Sequence, residues 1–273
     1  MNNTYQIYLI SDSTGETLDR IFLALKAQFS NFKCTPYQYA FTRTENQITK
    51  ILEICKKEKN SIILYTIVDI QLAKFLTKKS GEENIPCFGV LGDLILRFSK
   101  LLNQRASHEI GGQHILDDEY FKKIEALKFT MAHDDGNGMD DIEESDIIIL
   151  GVSRTSKTPT CIYLANRGFK TSNIPIISTI NIPKKITKKK KKSCIIGLVT
   201  ESERLMDVRK NRMNLINENQ SKEYTNLKNI EKEINLSKKL FRTYNWPTID
   251  VTRKSVEETA ASIIKIYNIM HGQ

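Results

Sequence analysis

The stretch 145-SDIIILGVSRTSKTPT-160 decides how the chain is read. Ile147 to Leu150 form an unbroken apolar run, as expected of a strand buried in a parallel sheet. Gly151 begins a turn, and Pro159 presets the first turn of a helix that Gly168 closes. A strand, a polar loop and a helix N-terminus are the three parts of a phosphate cradle, because the loop amides and the helix dipole both favour an anion. Gly151, five residues, then Lys157-Thr158 keeps the register of a P-loop. Val152, Ser153, Arg154, Thr155 and Ser156 complete the loop, Lys157 reaches a terminal phosphate, and the Thr158 hydroxyl suits Mg²⁺. Ser156 stands where glycine is usual; a serine fits if its backbone is not strongly left-handed, and it adds a donor. A plain polar turn between strand and helix is the competing reading. The strand before the loop, the helix after it and the second cation, Arg154, favour phosphate.

Outward from this loop, strand-like runs recur at Ile174 to Ile177, Ile195 to Val199 and Ile249 to Val251. Before it, Tyr5 to Ile10, Tyr37 to Phe41, Ile62 to Val68 and Cys87 to Leu91 alternate with helical patterns. That alternation predicts an α/β fold of two α/β halves, the C-terminal one a P-loop kinase-like parallel sheet flanked by helices. The expected division is an N-terminal α/β domain over 1–106, a connecting helix and loop over 107–144, and the kinase-like domain over 145–273. Leu18, Ile21, Phe22, Leu25 and Phe29 are spaced to line one face of the first helix. Thr200 with Glu203, and Ser255 with Glu258, fit capping boxes. Ile216 to Arg242 reads as one long surface helix.

The 273 residues carry a net charge of +9, and 40% of them are hydrophobic, enough for real cores. Lys184, Lys185 and Lys188 to Lys192 supply seven of those charges and leave +2 for the rest. Such a run reads as a solvated connection, and without interleaved aromatics it gives no nucleic-acid surface. No apolar run approaches the ~18 residues of a membrane span. The start has neither a basic leader nor a long apolar segment, and five dispersed cysteines suggest neither a disulfide framework nor a zinc site. A reducing cytoplasm is expected.

Two further motifs carry candidate chemistry. In 132-AHDDGNG-138, Asp134 or Asp135 is placed to accept a hydroxyl proton or hold Mg²⁺, with His133 assisting, although a turn with solvated acids explains the same residues. In 11-SDSTGET-17, hydroxyls and amides at the end of the first strand suggest a second anion site. A capping box of Ser13 and Glu16 is the alternative. Arg204, Arg209 and Arg212 follow on one helix and are candidates for charge stabilisation in phosphoryl transfer.

Together, "SDSTGET", "AHDDGNG", "GVSRTSKTPT", "YLANRGFKTSNIPII", "ERLMDVRKNR" and "IDVTRKSVEETAASI" resemble the pyruvate, phosphate dikinase regulatory protein family over nearly the whole chain. The resemblance implies a bifunctional serine/threonine kinase and phosphorylase. One activity moves the β-phosphate of ADP to a threonine of the dikinase and inactivates it; the other uses inorganic phosphate to remove that group, releasing pyrophosphate. It also implies that Gly151 through Thr158 bind ADP, that Mg²⁺ takes part, and that the assembly is a homodimer. Ser156 and "STGET" point to the dikinase branch rather than to the sister regulators of phosphoenolpyruvate synthase, which share the chemistry. The lysine run and "GLVTESERL", without the expected proline, depart from the family. A P-loop kinase of a small metabolite is the other enzymatic reading.

Overall fold

The structure is a computed structural model that describes residues 4–112, 118–177, 184–187, 193–216 and 223–272. It separates into two compact units, Met1–Ile115 and Leu116–Gln273. The first unit alternates β1 (Tyr5–Ser11), α1 (Glu16–Lys26), β2 (Cys34–Tyr39), α2 (Glu45–Lys57), β3 (Ser61–Thr66), α3 (Ile70–Glu82), β4 (Cys87–Gly89) and α4 (Gly92–Leu102). The second begins with α5 (Asp118–Ala132) and continues through β5 (Ile147–Gly151), α6 (Lys157–Ala165), β6 (Thr171–Pro175), α7 (Lys184–Thr187) and β7 (Cys194–Val199). It closes with α8 (Ser202–Ile216), α9 (Leu227–Thr243), β8 (Thr248–Asp250) and α10 (Val256–His271).

Each unit holds a four-stranded parallel sheet, in the orders β2-β1-β3-β4 and β6-β5-β7-β8. The winding is the same in both: the chain steps to one side of its first strand, then crosses to the other. A crevice therefore opens at the carboxyl ends of β1 and β3, and again at those of β5 and β7, where open α/β sheets bind ligands.

Strand alternation sends side chains to both faces. Ile147 and Ile149 pack with Cys161, Leu164, Ala260 and Ile263, while Ile148 and Leu150 pack with Ile142, Ile195 and Phe241. Burial on both sides explains why the run before the loop is wholly apolar. In the first unit, Tyr8, Ile10 and Ile63 meet Ile48, Ile51 and Leu52, and Ile7, Leu9 and Leu64 meet Leu18 and Phe22 on the opposite face.

Several local expectations change. Of the face expected on α1, Leu18 and Phe22 are buried, whereas Leu25 in the last turn and Phe29, beyond the helix end at Lys26, are exposed. Strand β6 starts at Thr171, earlier than its apolar residues indicate, because its buried polar side chains are partnered. The hydroxyls of Thr171 and Thr130 lie 2.9 Å apart, and those of Ser172 and Ser145 2.6 Å apart. The segment from Ile216 to Arg242 is not one surface helix: α8 ends at Ile216, a turn runs from Glu223 to Thr225, and α9 buries Ile230, Ile234 and Phe241. Asn226 caps α9, accepting from Lys228 N at 3.0 Å. The Ser255 and Glu258 capping box forms. The one expected at Thr200 does not, since α8 starts at Ser202 and the Thr200 hydroxyl faces that of Thr252 at 3.4 Å.

Within the expected connection over 107–144, α5 and the turns after it pack against the second sheet, with Asn173 N donating to His133 O at 3.2 Å. Lys184–Thr187 form the short α7, which buries Ile186 and lets Lys185 Nζ donate to Asp140 O at 2.5 Å. This part of the lysine run is thus helical and docked through Ile186, while Lys185 itself stays exposed. Lys188 to Lys192 lie outside the described residues.

Candidate active site

Gly151 ends β5 at a position where no side chain fits: a Cβ there would stand 2.7 Å from Thr155 Oγ1 and 3.1 Å from Leu198 O. The loop then folds on itself. Thr155 Oγ1 and Lys157 Nζ both donate to Val152 O, at 3.0 and 3.1 Å. Arg154 and Ser156 are left-handed, at φ 73° and 59°. Ser156 therefore adopts the conformation that glycine usually supplies, at a cost of about 1–2 kcal/mol, and such strain gathers at functional sites. Its side chain makes no capping bond, which leaves the first amides of α6 uncovered by the N-cap residue.

Lys157 is 6% exposed. Burial pushes its pKa below the usual lysine value, while the charges of Asp135 and Asp134 hold it up and Arg154 works against the charged form. An ammonium group held out of water beside a loop of amides is suited to a phosphate oxygen.

The His-Asp-Asp motif reaches the same place from α5. Asp134 Oδ1 accepts from Thr158 Oγ1 at 2.9 Å and also from Asn173 Nδ2. Asp135 is left-handed at φ 53°, its amide donates to Asn173 Oδ1 at 3.0 Å, and its side chain is exposed. Asp135, Ser153, Arg154, Ser156, Lys157, Thr158, Pro159 and Val208 line one cleft of about 300 Å³. Asp134 is thus tied to the loop, whereas Asp135 faces the cleft.

His133 does not assist either carboxylate. Its ring stacks on Phe129 at 3.7 Å, and its nitrogens bond Phe129 O at 2.8 Å and Asp141 Oδ1 at 2.9 Å. It anchors the turn, and Gly138 passes beneath it where a Cβ would come within 2.5 Å of the ring.

Among the three arginines, Arg204 and Arg212 are exposed and Arg209 is buried at 1%. Arg209 points inward, pairing with Glu233 Oε2 at 2.6 Å and donating to Tyr224 O at 3.1 Å and Ser153 O at 3.4 Å. Asn173, Tyr224 and Glu233 were not foreseen from the sequence. Only Asn173 carries a signal, as a polar residue next to an apolar strand run.

In the first unit, the SDSTGET loop bounds a cavity of about 150 Å³ lined by Ser11, Asp12, Ser13, Gly15, Thr66 and Glu109, among others. Helix α1 begins at Glu16 with Gly15 as its cap residue, so Ser13 and Glu16 form no capping box. Asp12 is 2% exposed and accepts from Val68 N at 2.7 Å; burial pushes its carboxyl above the usual range. A buried carboxylate in the wall repels an oxyanion, which weighs against the second anion site.

The described residues hold no cluster of three or more histidine, cysteine or acidic side chains able to bind a metal. The oxygen set at the loop nonetheless fits Mg²⁺, which typically takes one or two carboxylates together with substrate phosphates. Thr158 gives its proton to Asp134 and keeps oxygen lone pairs for a cation.

The architecture defines an α/β protein in which the central strand of a parallel sheet delivers a lysine, hydroxyls and loop amides to the switch-point crevice, beside two carboxylates. The chain belongs to the kinase/pyrophosphorylase family, whose model matches residues 7–264. A Pelagibacter ubique (strain HTCC1062) protein is 65% identical over 98% of this chain and 98% of its own length. Relatives from Chelativorans sp. (strain BNC1) and Bartonella bacilliformis (strain ATCC 35685 / KC583 / Herrer 020/F12,63) are 42% and 39% identical, covering 96% and 97% of this chain and 96% and 94% of their own. All three are named as pyruvate, phosphate dikinase regulatory proteins. Among the described residues, no helix is long and apolar enough to cross a membrane.

Proposed function

We propose that this chain regulates pyruvate, phosphate dikinase by reversible phosphorylation of a threonine. With ADP as donor, the bond from the β-phosphorus to the bridging oxygen breaks, AMP leaves, and the threonine oxygen takes the phosphoryl group as it loses its proton. In the opposite reaction, an oxygen of inorganic phosphate attacks the phosphothreonine phosphorus, the threonine hydroxyl is restored and pyrophosphate leaves. The names of the relatives support the dikinase as target. The same chemistry on phosphoenolpyruvate synthase gains no support from those names.

The observation that carries this reading is one cleft lined by Lys157, Thr158 and Asp135, with Asp134 holding the Thr158 hydroxyl, although the two segments lie some twenty residues apart. Transfer of a phosphoryl group needs little more than positioning and charge neutralisation. In this reading the amides from Val152 to Thr158 surround the diphosphate and the Lys157 ammonium neutralises the moving group. Asp135, exposed and aimed into the cleft, accepts the threonine proton. Asp134 and Thr158 would hold Mg²⁺, which supplies further neutralisation of phosphate charge when bound. The exposed Arg204 and Arg212 remain candidates for inorganic phosphate, but Arg209, consumed by Glu233, does not.

The test is incubation of the purified chain with ADP and the dikinase, with mapping of the modified residue. A second incubation of phosphorylated dikinase with inorganic phosphate is assayed for pyrophosphate. Phosphothreonine in the first and pyrophosphate in the second are the expected results. Transfer to a small metabolite, with the dikinase unmodified, overturns the reading.

A further inference from the structure

Arg209 is charged, 1% exposed and not spent on the cleft itself. Its guanidinium joins three segments far apart in sequence. On α9, Glu233 receives Nη2 at 2.6 Å and Nη1 at 3.5 Å. At the turn before α9, Tyr224 O receives Nη1 at 3.1 Å, and the guanidinium carbon lies 4.4 Å from the centre of the Tyr224 ring. On the loop after β5, Ser153 O receives Nη2 at 3.4 Å. The tyrosine then reaches the same loop residue, its hydroxyl standing 3.0 Å from Ser153 Oγ. Ser153 is held twice, once by its carbonyl and once by its hydroxyl.

Stability is a poor explanation for this arrangement. A buried ion pair often contributes no more than an apolar replacement would, because the charges must first be desolvated. Here the network is also incomplete, since Arg209 Nε is buried with no hydrogen-bond partner among the described residues. What the arginine does achieve is directional. A trans peptide is planar, so drawing the Ser153 carbonyl toward Arg209 turns the Arg154 N–H the opposite way. Arg154 and Ser153 both line the cleft, and Arg154 is in the left-handed conformation that a curled loop needs.

We propose that Arg209, braced by Glu233 and Tyr224, is a positioning residue that sets the Ser153–Arg154 peptide so that its N–H faces the diphosphate of the donor. Tyr224 is the second fastening of the same residue, through the Ser153 hydroxyl. This inference rests on the reading of the cleft as a site for ADP. Lysine cannot replace the arginine, because one ammonium cannot serve Glu233, Tyr224 O and Ser153 O from a planar fork.

The experiment uses the full-length chain with Mg²⁺ and titrates ADP and AMP calorimetrically into wild type, Arg209→Lys, Tyr224→Phe, the double variant and Lys157→Ala. Melting without nucleotide is recorded for each. Tyr224→Phe removes one half-buried hydroxyl without changing the ring and is expected to melt within about 2 °C of wild type. Its ADP affinity falls about fivefold and that of Arg209→Lys at least about tenfold, the loss of one or two oriented hydrogen bonds. AMP, lacking the second phosphate, changes less than about twofold in both, and the double variant loses less than the product of the singles. In turnover, KM for ADP rises more than kcat falls, because the fastening acts on the bound donor throughout.

A general loosening of the fold would weaken AMP and ADP alike and follow the melting temperature; that result overturns the proposal. Should Arg209→Lys not fold, unchanged ADP affinity in Tyr224→Phe is enough to overturn it. If wild type binds ADP, Lys157→Ala weakens it and Tyr224→Phe does not, only the positioning role fails. If wild type binds no ADP, the cleft reading falls and this inference with it.

Discussion

Lys157 is the side chain on which most depends, because its ammonium is buried against the loop, where it donates to Val152 O. Lys157→Ala is expected to lower ADP-dependent phosphorylation by at least about a hundredfold, the usual effect of deleting one preorganised electrostatic contact. Circular dichroism should remain unchanged, since the one buried side chain lost stands at the start of α6 and outside the apolar clusters on either face of the sheet. The lowered pKa adds a pH signature. Between the depressed folded value and the ordinary 10.5, the folded chain has released a proton that the unfolded chain keeps, so this group makes the ligand-free protein more stable as pH rises. Affinity for ADP should move the other way, declining at a pH below 10.5 where an exposed lysine would still be charged; a titration flat through that window counts against Lys157 as the contact. The two carboxylates should also separate. Asp135→Asn removes the proton acceptor and lowers kcat by roughly 10²- to 10⁴-fold, whereas Asp134→Asn releases Thr158 and raises the Mg²⁺ requirement. Equal effects on both parameters would contradict the division of roles. Lys157, Thr158 and the aspartates were legible because spacing alone brings them to one loop and one turn. The left-handed backbone of Ser156 was signalled only by its standing where glycine is usual, whereas the inward turn of Arg209 and the anchoring role of His133 depend on partners 56 and 8 residues away, which no local pattern encodes.

Helices and strands were legible where one physical signal dominated. Most strands among the described residues follow apolar runs, but β2 spans the largely exposed Cys34–Tyr39 rather than Tyr37 to Phe41, and β6 begins three residues before its run because Thr171, Ser172 and Asn173 satisfy their polar groups internally. Ser255 and Glu258 make their capping box as their spacing requires. The break between α8 and α9 was hidden, since charge and helix propensity continue across it while the packing that ends one helix and starts the next is tertiary. That packing has a test. Helix α9 lies on β7 with Phe241 over Gly197, and a Cβ at that glycine would come within 2.4 Å of the ring. Gly197→Ala should therefore destabilise the second unit by about 1–3 kcal/mol through overpacking. Chemical denaturation would register this as an earlier midpoint, and an unchanged midpoint would show that α9 yields without cost.

Among the described residues, each unit builds hydrophobic clusters of its own, around β1 and β3 in the first and around β5 and β7 in the second. Their division follows from the alternation of strands and helices, although the position of α5 against the second sheet required side-chain contacts to see. Calorimetry of the full chain is expected to resolve two transitions, with ADP raising only that of Leu116–Gln273. At a hundredfold excess over Kd the stabilisation is about 2.7 kcal/mol, and an equal upward shift of both transitions would contradict a nucleotide site confined to the second unit. Because every strand in both sheets runs the same way, the crevices all face one rim of each sheet, and the turns entering β3, β6 and β8 lie on the opposite rim. Asn60 and Asn245 turn there in left-handed conformation, and Gly168 has open space where a side chain would begin. Within the second unit, the turns at Gly168 and Asn245 are consequently natural attachment points for dyes or immobilising tags, at the end of that sheet away from its own cleft.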